Sequence, residues 1–288
     1  MSNVDLDVDV IVLDLDGGDL LQKCLNSIEA QTLKPSRILV WDNGSRTPVT
    51  TRLPPLPGSV EVHRSEANLG FAGGVNAAFA LASADFIALV NNDVLLDPRW
   101  LSALLERMKV DDKVCAVQSL ILAPDGTIDG AGIDVSSGTF RQIAHGASPT
   151  VSFELKPWGV SATATLYRRS ALVDVLTDGQ LFDPRFFAYY EDVELCARLG
   201  ERGWLFAVVP EPLATHKGSA SSSHVEAVYL RTRNRYWVHR LHGAVGSYGA
   251  LLREDLRLLV RDVAGLQPGN ALSRCRGLLE GLLTNIEN

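Results

Sequence analysis

Residues 86–93 read Phe-Ile-Ala-Leu-Val-Asn-Asn-Asp, an apolar run that ends in two amides and a carboxylate. A short continuous apolar run with a polar boundary is typical of a strand buried on both faces of a sheet. In open α/β sheets, ligands bind at the carboxyl ends of such strands. The stretch therefore predicts a central strand that ends in a ligand site at Asn91, Asn92 and Asp93.

The residues before this strand alternate short apolar, β-branched runs with helical patterns. This alternation predicts strands at 8–15, 38–41 and 60–63, and helices after Asp19, after the glycine-rich stretch 68–74 as far as about residue 84, and from Asp97-Pro98. The Pro-rich stretch 54–57 is predicted to be a loop. Strands that alternate with helices indicate βαβ units, so we expect an α/β fold with a mainly parallel sheet.

The second half of the chain is predicted to add strands at 114–122, 162–167 and 205–209, with a turn at Pro210 and Pro212. A helix is predicted from Glu191 to Gly203. From about His224 the pattern is helical to the end, with breaks near 243–246 and at 268–269. The leucines of these last helices are expected to pack on the core, although dimerisation or a membrane surface would also suit them.

The composition is that of an ordinary globular protein, with 46% hydrophobic and 21% charged residues in 288. A net charge of −7 argues against a general nucleic-acid binder, because such proteins rely on clustered Lys and Arg. The acidic N-terminus lacks the pattern of a secretory signal, and no apolar run approaches the ~20 residues that span a bilayer. Because the four cysteines are widely scattered, we expect reduced, partly buried thiols and a cytoplasmic protein.

Three polar clusters follow predicted strands, at 14–18, 42–45 and 91–93, and they should converge on one edge of the sheet. Asp42 could accept a hydrogen bond from a pyrimidine imide, but Asp-Asn-Gly-Ser is also a turn sequence. Likewise, the glycines at 70, 73 and 74 would suit either close approach to a nucleotide or a simple helix entry.

Two further sites combine carboxylates with groups from elsewhere in the chain. Asp93 is placed where a hard divalent cation could bridge protein and diphosphate, and His216 could supply a second ligand suited to Mn²⁺. Glu191 and Asp192 follow the aromatic run 186–190 and open a helix. Their charge suits a helix N-terminus, and the same pair also describes a general base in an apolar sugar pocket.

With these motifs in order, the chain resembles the family 2 glycosyltransferases of the GT-A superfamily, especially the bacterial rhamnosyltransferase-like branch. The resemblance runs from about residue 8 to 235 and rests on six ordered stretches. These are 42–45, Asn68 to Asn76, 91–93, Phe182-Asp183, Tyr190 to Cys196, and His216 before Gly218.

The resemblance implies a role for each matching position. Asp42 would face the base of a nucleoside diphosphate sugar, Asn91 and Asn92 its ribose and phosphate, and Asp93 with His216 a divalent Mn or Mg ion. Asp192 would be the general base, and Glu191 would position the acceptor. The remaining donor contacts would come from Asn68, Gly70, Gly73, Asn76 and, within the basic cluster 231–235, Arg233.

The resemblance also implies a GT-A fold with a mixed, mainly parallel sheet flanked by helices. A catalytic domain would occupy residues 1–223, with a donor half at about 8–122 and an acceptor half at about 123–223, and a helical segment would follow at 224–288. The implied reaction is an inverting transfer from dTDP-rhamnose or a UDP-sugar to a glycan or lipid-linked saccharide in cell-surface polysaccharide synthesis. Peripheral membrane association and a homodimer are compatible with it.

Two departures from the family pattern stand out. The loop 13–18 carries acids where an Asn- and Tyr-bearing turn is usual, and the metal motif is Asn-Asn-Asp in place of Asp-x-Asp. The rival interpretations are a sugar-nucleotide nucleotidyltransferase and a non-catalytic sugar-nucleotide-binding protein. The first would want a basic phosphate loop after the first strand, where this chain has acids. The second would keep its function with Asp192 replaced.

Overall fold

A computed structural model describes residues 7–54, 58–150, 155–218, 223–243, 247–284 and 286. Most of the predicted Pro-rich loop at 54–57, most of the predicted helix break at 243–246 and the acidic N-terminus lie outside these residues. Within them, no helix is long and apolar enough to cross a membrane.

The N-terminal part is a run of βαβ units, as the alternating pattern predicts. Its strands pair in parallel in the order β3, β2, β1, β4. The elements are β1 (Val8–Asp14), α1 (Asp19–Glu29), β2 (Arg37–Asn43), α2 (Val49–Arg52), β3 (Val60–Ser65), α3 (Gly70–Phe79) and β4 (Phe86–Asn91).

The same sheet continues into the second half of the chain and becomes mixed there, since one strand inserts antiparallel between two others. The order extends from β4 through β10, β6 and β11 to β5, with β7 beside β6. The elements are β5 (Val94–Leu96), α4 (Trp100–Met108), β6 (Val114–Leu122), β7 (Ile128–Gly130), β8 (Ile133–Asp134), β9 (Arg141–Gln142), β10 (Ala164–Arg168), α5 (Arg169–Asp174), α6 (Glu191–Glu201) and β11 (Leu205–His216).

Helices cover both faces of the sheet and bury separate apolar layers. Along β1, Val10 and Val12 face the layer that includes α1 and α4, whereas Ile11 faces the layer under α3 and α6. This two-residue alternation places apolar side chains on both faces, which explains the continuous apolar runs in the sequence. The apolar stripe predicted on α1 is buried as expected.

The predicted turn at Pro210 and Pro212 is wrong, because β11 continues through both prolines to His216. Its pairing with β6 shifts register on either side of Pro212. Proline has no N–H for the ladder and is tolerated at such irregularities. The extension matters because it carries His216 to the end of β5, opposite Val94.

Three helices follow the sheet, as predicted from the helical pattern after His224. They are α7 (His224–Leu241), α8 (Tyr248–Ala264) and α9 (Pro268–Leu283). The expectation that their leucines pack on the core holds only in part: Leu251 is buried and three others are half-buried, but four are exposed. The half-buried leucines are Leu258, Leu259 and Leu278, and the exposed ones are Leu252, Leu256, Leu279 and Leu282. Close packing of α9 on α7 uses glycines instead, at Gly277 and Gly281.

We expect Gly277→Ala to lower the free energy of unfolding by about 1–3 kcal/mol, because overpacking forces backbone shifts. A Cβ at Gly277 would lie 2.6 Å from the carbonyl oxygen of Tyr229 on α7. The matched control is Gly200→Ala on α6, where a Cβ has no neighbour within 4 Å. Better helix propensity should stabilise that variant by up to ~1 kcal/mol. The measurement is the urea unfolding midpoint of the wild type and of each variant. Equal midpoints for the two variants would contradict this account of the α7–α9 contact.

Candidate active site at the carboxyl edge of the sheet

The polar clusters predicted to converge do meet at one edge of the sheet. Asp14 at the end of β1 lies opposite Asp42 on β2, and Leu13 lies opposite Asn91 on β4. Beyond β4, the backbone N–H of Asn91 donates to the carbonyl of Thr163 at 2.9 Å, just before β10. The ends of three parallel strands and the start of the antiparallel β10 therefore share this edge.

Asp42 is buried and its carboxylate is engaged within the protein. It accepts hydrogen bonds from the backbone N–H groups of Ser45 at 2.9 Å and Val49 at 3.0 Å, and from Arg64 at 2.5 Å. Burial opposes ionisation, but these hydrogen bonds outweigh it and hold the pKa of Asp42 below its ordinary value. These contacts fit the turn-forming role, whereas a contact with a nucleotide base stays a prediction.

Asn92 is tied to the acidic loop after β1. Its amide donates to Asp14 at 2.7 Å, and the other oxygen of the fully buried Asp14 is paired with Arg52. A Cβ at Gly17 would overlap both Asp14 and Asn92, so the loop requires glycine there. Asn92 therefore orders the unusual loop, and sequence reasoning missed Arg52 and Arg64 because neither stands in a motif.

The stretch from Asn68 to Asn76 joins the two halves of the protein. The Asn68 side chain accepts from Gly70 N–H at 2.8 Å and from Asn43 at 3.0 Å. Gly70 has a positive φ of 74°, and a Cβ there would overlap Phe187. Asn76 bonds both the N–H and the carbonyl of Phe182, each at 2.8 Å. Asn68, Gly70 and Asn76 thus have structural roles, and the donor contacts predicted for them and for Gly73 stay predictions.

Asp93 and His216 lie side by side, as predicted, although they are far apart in sequence. Their closest atoms, Oδ1 and Nε2, are 3.3 Å apart. On its other side, His216 Nδ1 lies 2.8 Å from Oδ2 of Asp129 on β7. Burial disfavours the imidazolium, but the hydrogen bonds with Asp129 and Asp93 raise the pKa of His216 to about 9.

This arrangement fits a divalent cation whose remaining ligands come from outside the protein. Among the residues that the structure describes, no group of three or more His, Cys, Asp or Glu could hold a metal. Asp93 and His216 would thus be the protein's contribution, and Mn²⁺ or Mg²⁺ often binds through one or two side chains plus substrate phosphates and water. Asp129 on the far nitrogen is the usual partner that orients a metal-binding histidine.

Glu191 and Asp192 open α6 after an unusual stretch of backbone. Phe187, Tyr189 and Tyr190 all adopt positive φ, at 65°, 68° and 70°. Such conformations cost L-residues about 1 kcal/mol or more each and persist only when the surroundings enforce them. The loop 185–190 therefore needs an external restraint, and α7 supplies it.

Arg233 and Asn234 on α7 hold this loop through its carbonyl oxygens. The Asn234 amide donates to Phe186, Ala188 and Tyr189 at 2.9, 2.9 and 2.6 Å. Arg233 donates to the carbonyls of Arg185 and Phe186, both at 3.1 Å. The predicted diphosphate contact of Arg233 is therefore corrected, because its buried guanidinium is engaged with the loop. Arg231 is the exposed arginine of this cluster, and it stacks on Tyr189.

The two adjacent carboxylates differ in their partners. Asp192 accepts from the backbone N–H groups of Ala162 at 3.1 Å and Val193 at 2.8 Å. Glu191 is only 5% exposed, and its Oε2 has no hydrogen-bond partner. Burial raises both pKa values, and the charge of Asp192 raises that of Glu191 further. Because Ala162 adjoins Thr163, Asp192 lies at the same edge as Asn91.

The sequence model for glycosyl transferase family 2 matches residues 10–176, more than half of the chain. The chain belongs to glycosyl transferase family 2. It is 27% identical over 255 residues to the N-acetylglucosaminyl-diphospho-decaprenol L-rhamnosyltransferase of Mycobacterium tuberculosis, covering 78% of this chain and 81% of that protein. It is also 29% identical to the O-antigen biosynthesis protein RfbC of Myxococcus xanthus over 74% of this chain, which is 17% of that protein.

Solved structures support the GT-A fold of this family member. The mannosyltransferase PcManGT from Pyrobaculum calidifontis, in complex with GDP-Man and Mn²⁺, aligns with a TM-score of 0.58 at 13% identity, over 96% of this chain and 75% of that one. TarS 1–349 of S. aureus, in complex with UDP-GlcNAc, aligns with a TM-score of 0.56 at 17% identity, over 83% of this chain and 66% of that one. The protein is thus a family 2 glycosyltransferase with the GT-A fold, and its sequence is similar to that of an L-rhamnosyltransferase.

We expect Asp129→Ala to weaken Mn²⁺ affinity by about 10- to 100-fold, the usual effect of removing the partner of a metal-binding histidine. Free Mn²⁺ is counted by electron paramagnetic resonance in the presence of UDP, so no turnover is required. The control is Asp112→Ala, which removes one negative charge from a fully exposed side chain. If both variants bound Mn²⁺ like the wild type, Asp129 would have no part in a metal site.

Proposed function

We propose that this family 2 enzyme is an inverting, metal-dependent glycosyltransferase. It transfers a sugar from a nucleoside diphosphate sugar to a glycan or lipid-linked saccharide in cell-surface polysaccharide synthesis. The observation that carries the proposal is that Asp192 lies at the sheet edge that also holds Asp93 and His216. Residues 8–122 bind the donor, which Asn91 and Gly73 contact, and residues 123–223 bind the acceptor.

Asp192 is the general base, and Glu191 positions the acceptor. Ionising both buried carboxylates would place two negative charges side by side, so only one of them is ionised at a time. Two backbone N–H donors favour the ionised form of Asp192, whereas Glu191 Oε2 has no such donor. Glu191 therefore keeps its proton and can donate a hydrogen bond to an acceptor hydroxyl, and Asp192 is left to accept a proton.

The reaction is a single displacement. The acceptor oxygen forms a bond to the anomeric carbon on the face opposite the diphosphate, and its proton passes to Asp192. The bond from the anomeric carbon to the diphosphate oxygen breaks in the same step, so the configuration inverts. Asp93 and His216 would hold the divalent ion, which when bound supplies Lewis-acid stabilisation of the departing diphosphate.

The donor is dTDP-rhamnose or a UDP-sugar. Support comes from the mycobacterial relative, whose name describes an L-rhamnosyltransferase acting on a decaprenol-linked acceptor, at 27% identity. The solved neighbours bind GDP-Man or UDP-GlcNAc, but at 13% and 17% identity they support only the assignment of the fold and not that of the donor. Membership of family 2 does not favour the alternative of a nucleotidyltransferase. The other alternative, a non-catalytic sugar-nucleotide-binding protein, would bind the donor without transferring its sugar, so an experiment can distinguish it from an enzyme.

We expect Asp192→Asn to reduce transfer by about 10²- to 10⁴-fold, the usual contribution of a general base, while donor binding is kept. Donor binding is measured by thermal stabilisation with dTDP-rhamnose and UDP-sugars in the presence of Mn²⁺ or Mg²⁺. Transfer is measured by release of the nucleoside diphosphate with a lipid-linked saccharide acceptor. A wild-type protein that binds a donor but neither transfers nor hydrolyses it would instead be a binding protein.

The pH profile distinguishes the two carboxylates. Catalysis requires ionised Asp192, whose pKa burial raises, so kcat should fall as the pH drops through a value above that of an ordinary aspartate. Glu191→Gln should keep this acid limb and mainly raise KM for the acceptor, because the protonated Glu191 is already neutral. An acid limb that disappears in Glu191→Gln would make Glu191 the base.

A further inference from the structure

Helices α8 and α9 have their polarity reversed relative to an ordinary surface helix. The residues of α8 that are buried are Leu251, Asp255 and Asp262, so two of three are acids. Asp255 pairs with Arg235 and accepts from the hydroxyl of Tyr236 at 2.8 Å. An amphipathic helix normally turns its apolar stripe inward. Here ion pairs attach the inner face of α8 to α7, and several of the apolar side chains of α8 face solvent.

The same reversal holds for α9. Its buried residues are Asn270, Arg274, Gly277 and Gly281, none of which is a large apolar residue. Arg274 donates to Asp262 of α8 at 2.9 Å, which locks the two helices together. The orientation of both helices is thus fixed by buried polar contacts.

The outward faces carry rows of exposed aliphatic side chains. On α8 these are 44% to 65% exposed and are spaced at three and four residues, so they form one stripe: Leu252, Leu256, Val260 and Val263. Leu266, in the connection to α9, is 88% exposed. On α9, four further leucines are exposed: Leu272, Leu279, Leu282 and Leu283. A contiguous apolar patch of this kind usually marks an interaction site.

A row of basic residues borders the stripe. Arg253, Arg257 and Arg261 are exposed and lie four residues apart, so they share one face of α8. The two buried acids of the helix face inward, and Glu254 is partly covered beside Arg235. Although the whole chain has a net charge of −7, the outer face of α8 is therefore basic.

A cleft of about 200 Å³ lies beside the basic row. Its lining combines the guanidinium groups of Arg141, Arg253 and Arg257 with the hydroxyl groups of Ser137 and Thr139, and it also includes Ala250 and Glu254, whose carboxylate lies beside Arg235. Guanidinium and hydroxyl groups donate hydrogen bonds and suit a phosphate group.

We propose that the outer face of α8 and α9 docks on the surface of an anionic phospholipid bilayer. The apolar stripe enters the headgroup boundary, and the row of arginines binds lipid phosphates, which is the charge pattern of an interfacial amphipathic helix. A second copy of the chain fits less well, because a symmetric contact would bring two rows of arginines towards each other. The proposal does not depend on which sugar or acceptor the enzyme uses.

The test is flotation of the full chain with vesicles of phosphatidylcholine alone or with an equal part of phosphatidylglycerol. Wild-type protein should float with the anionic vesicles, less so as salt rises, and weakly with the neutral ones. The double variant Arg257→Glu/Arg261→Glu should bind anionic vesicles at least about tenfold more weakly, since each basic residue near the surface contributes to binding. Leu256→Ser/Val260→Ser should lose binding as well.

The matched control is Val110→Ser/Val173→Ser, which removes two exposed aliphatic side chains outside the C-terminal helices. It should float like the wild type. Sedimentation equilibrium on the same proteins tests the alternative occupant. A wild-type protein that ignores both kinds of vesicle would overturn the proposal, as would a dimer that Leu256→Ser/Val260→Ser converts to monomers while vesicle binding stays unchanged.

Discussion

The hydrogen bonds from Asn234 to the loop before α6 are the constraint on which the candidate active site depends. That loop holds three non-glycine residues at positive φ, a conformation that would relax without support. One amide donating to three carbonyls, together with the guanidinium of Arg233, offsets this strain with buried hydrogen bonds. Because α6 begins where the loop ends, α7 fixes the direction in which Asp192 and Glu191 enter the site. Helix α7 therefore supports the candidate site, although it begins the helical segment 224–288 that the resemblance implies after the catalytic domain.

Charge is distributed unevenly among the strand ends, which bears on the proposed cation site of a motif with a single carboxylate. Asp14 and Asp42 are each neutralised by an arginine, so the end of the first two strands carries little net charge. Asp93 and Asp129 instead flank the imidazole of His216, one on each ring nitrogen. The neutral Asn91 and Asn92 lose the second acid of the usual motif, and Asp129 restores negative charge from β7, behind the histidine.

The sequence predicted the parts of the fold that follow from local pattern. Strands buried on both faces give continuous apolar runs, and these fix β1, β2, β4 and β6 to within a few residues. The error at Pro210 and Pro212 arose because local turn propensity was overridden by irregular pairing with β6. The convergence of strand ends was equally predictable from topology. Which side chains pair at that edge was not, because Arg52 reaches Asp14 from α2 and Arg64 reaches Asp42 from β3, and no local periodicity encodes either pairing.

The C-terminal helices show where pattern reading fails in a different way. Their leucines have helical spacing, and spacing alone cannot say which face turns inward. The deciding residues are Asp255, Asp262 and Arg274, which form an ion-paired network only when α8 and α9 lie against α7. Breaking such a buried pair leaves an uncompensated charge, a cost of ~3–5 kcal/mol that exceeds the gain from burying one leucine. The helices therefore stay with their polar side inward, and the apolar stripe remains available to an outside partner.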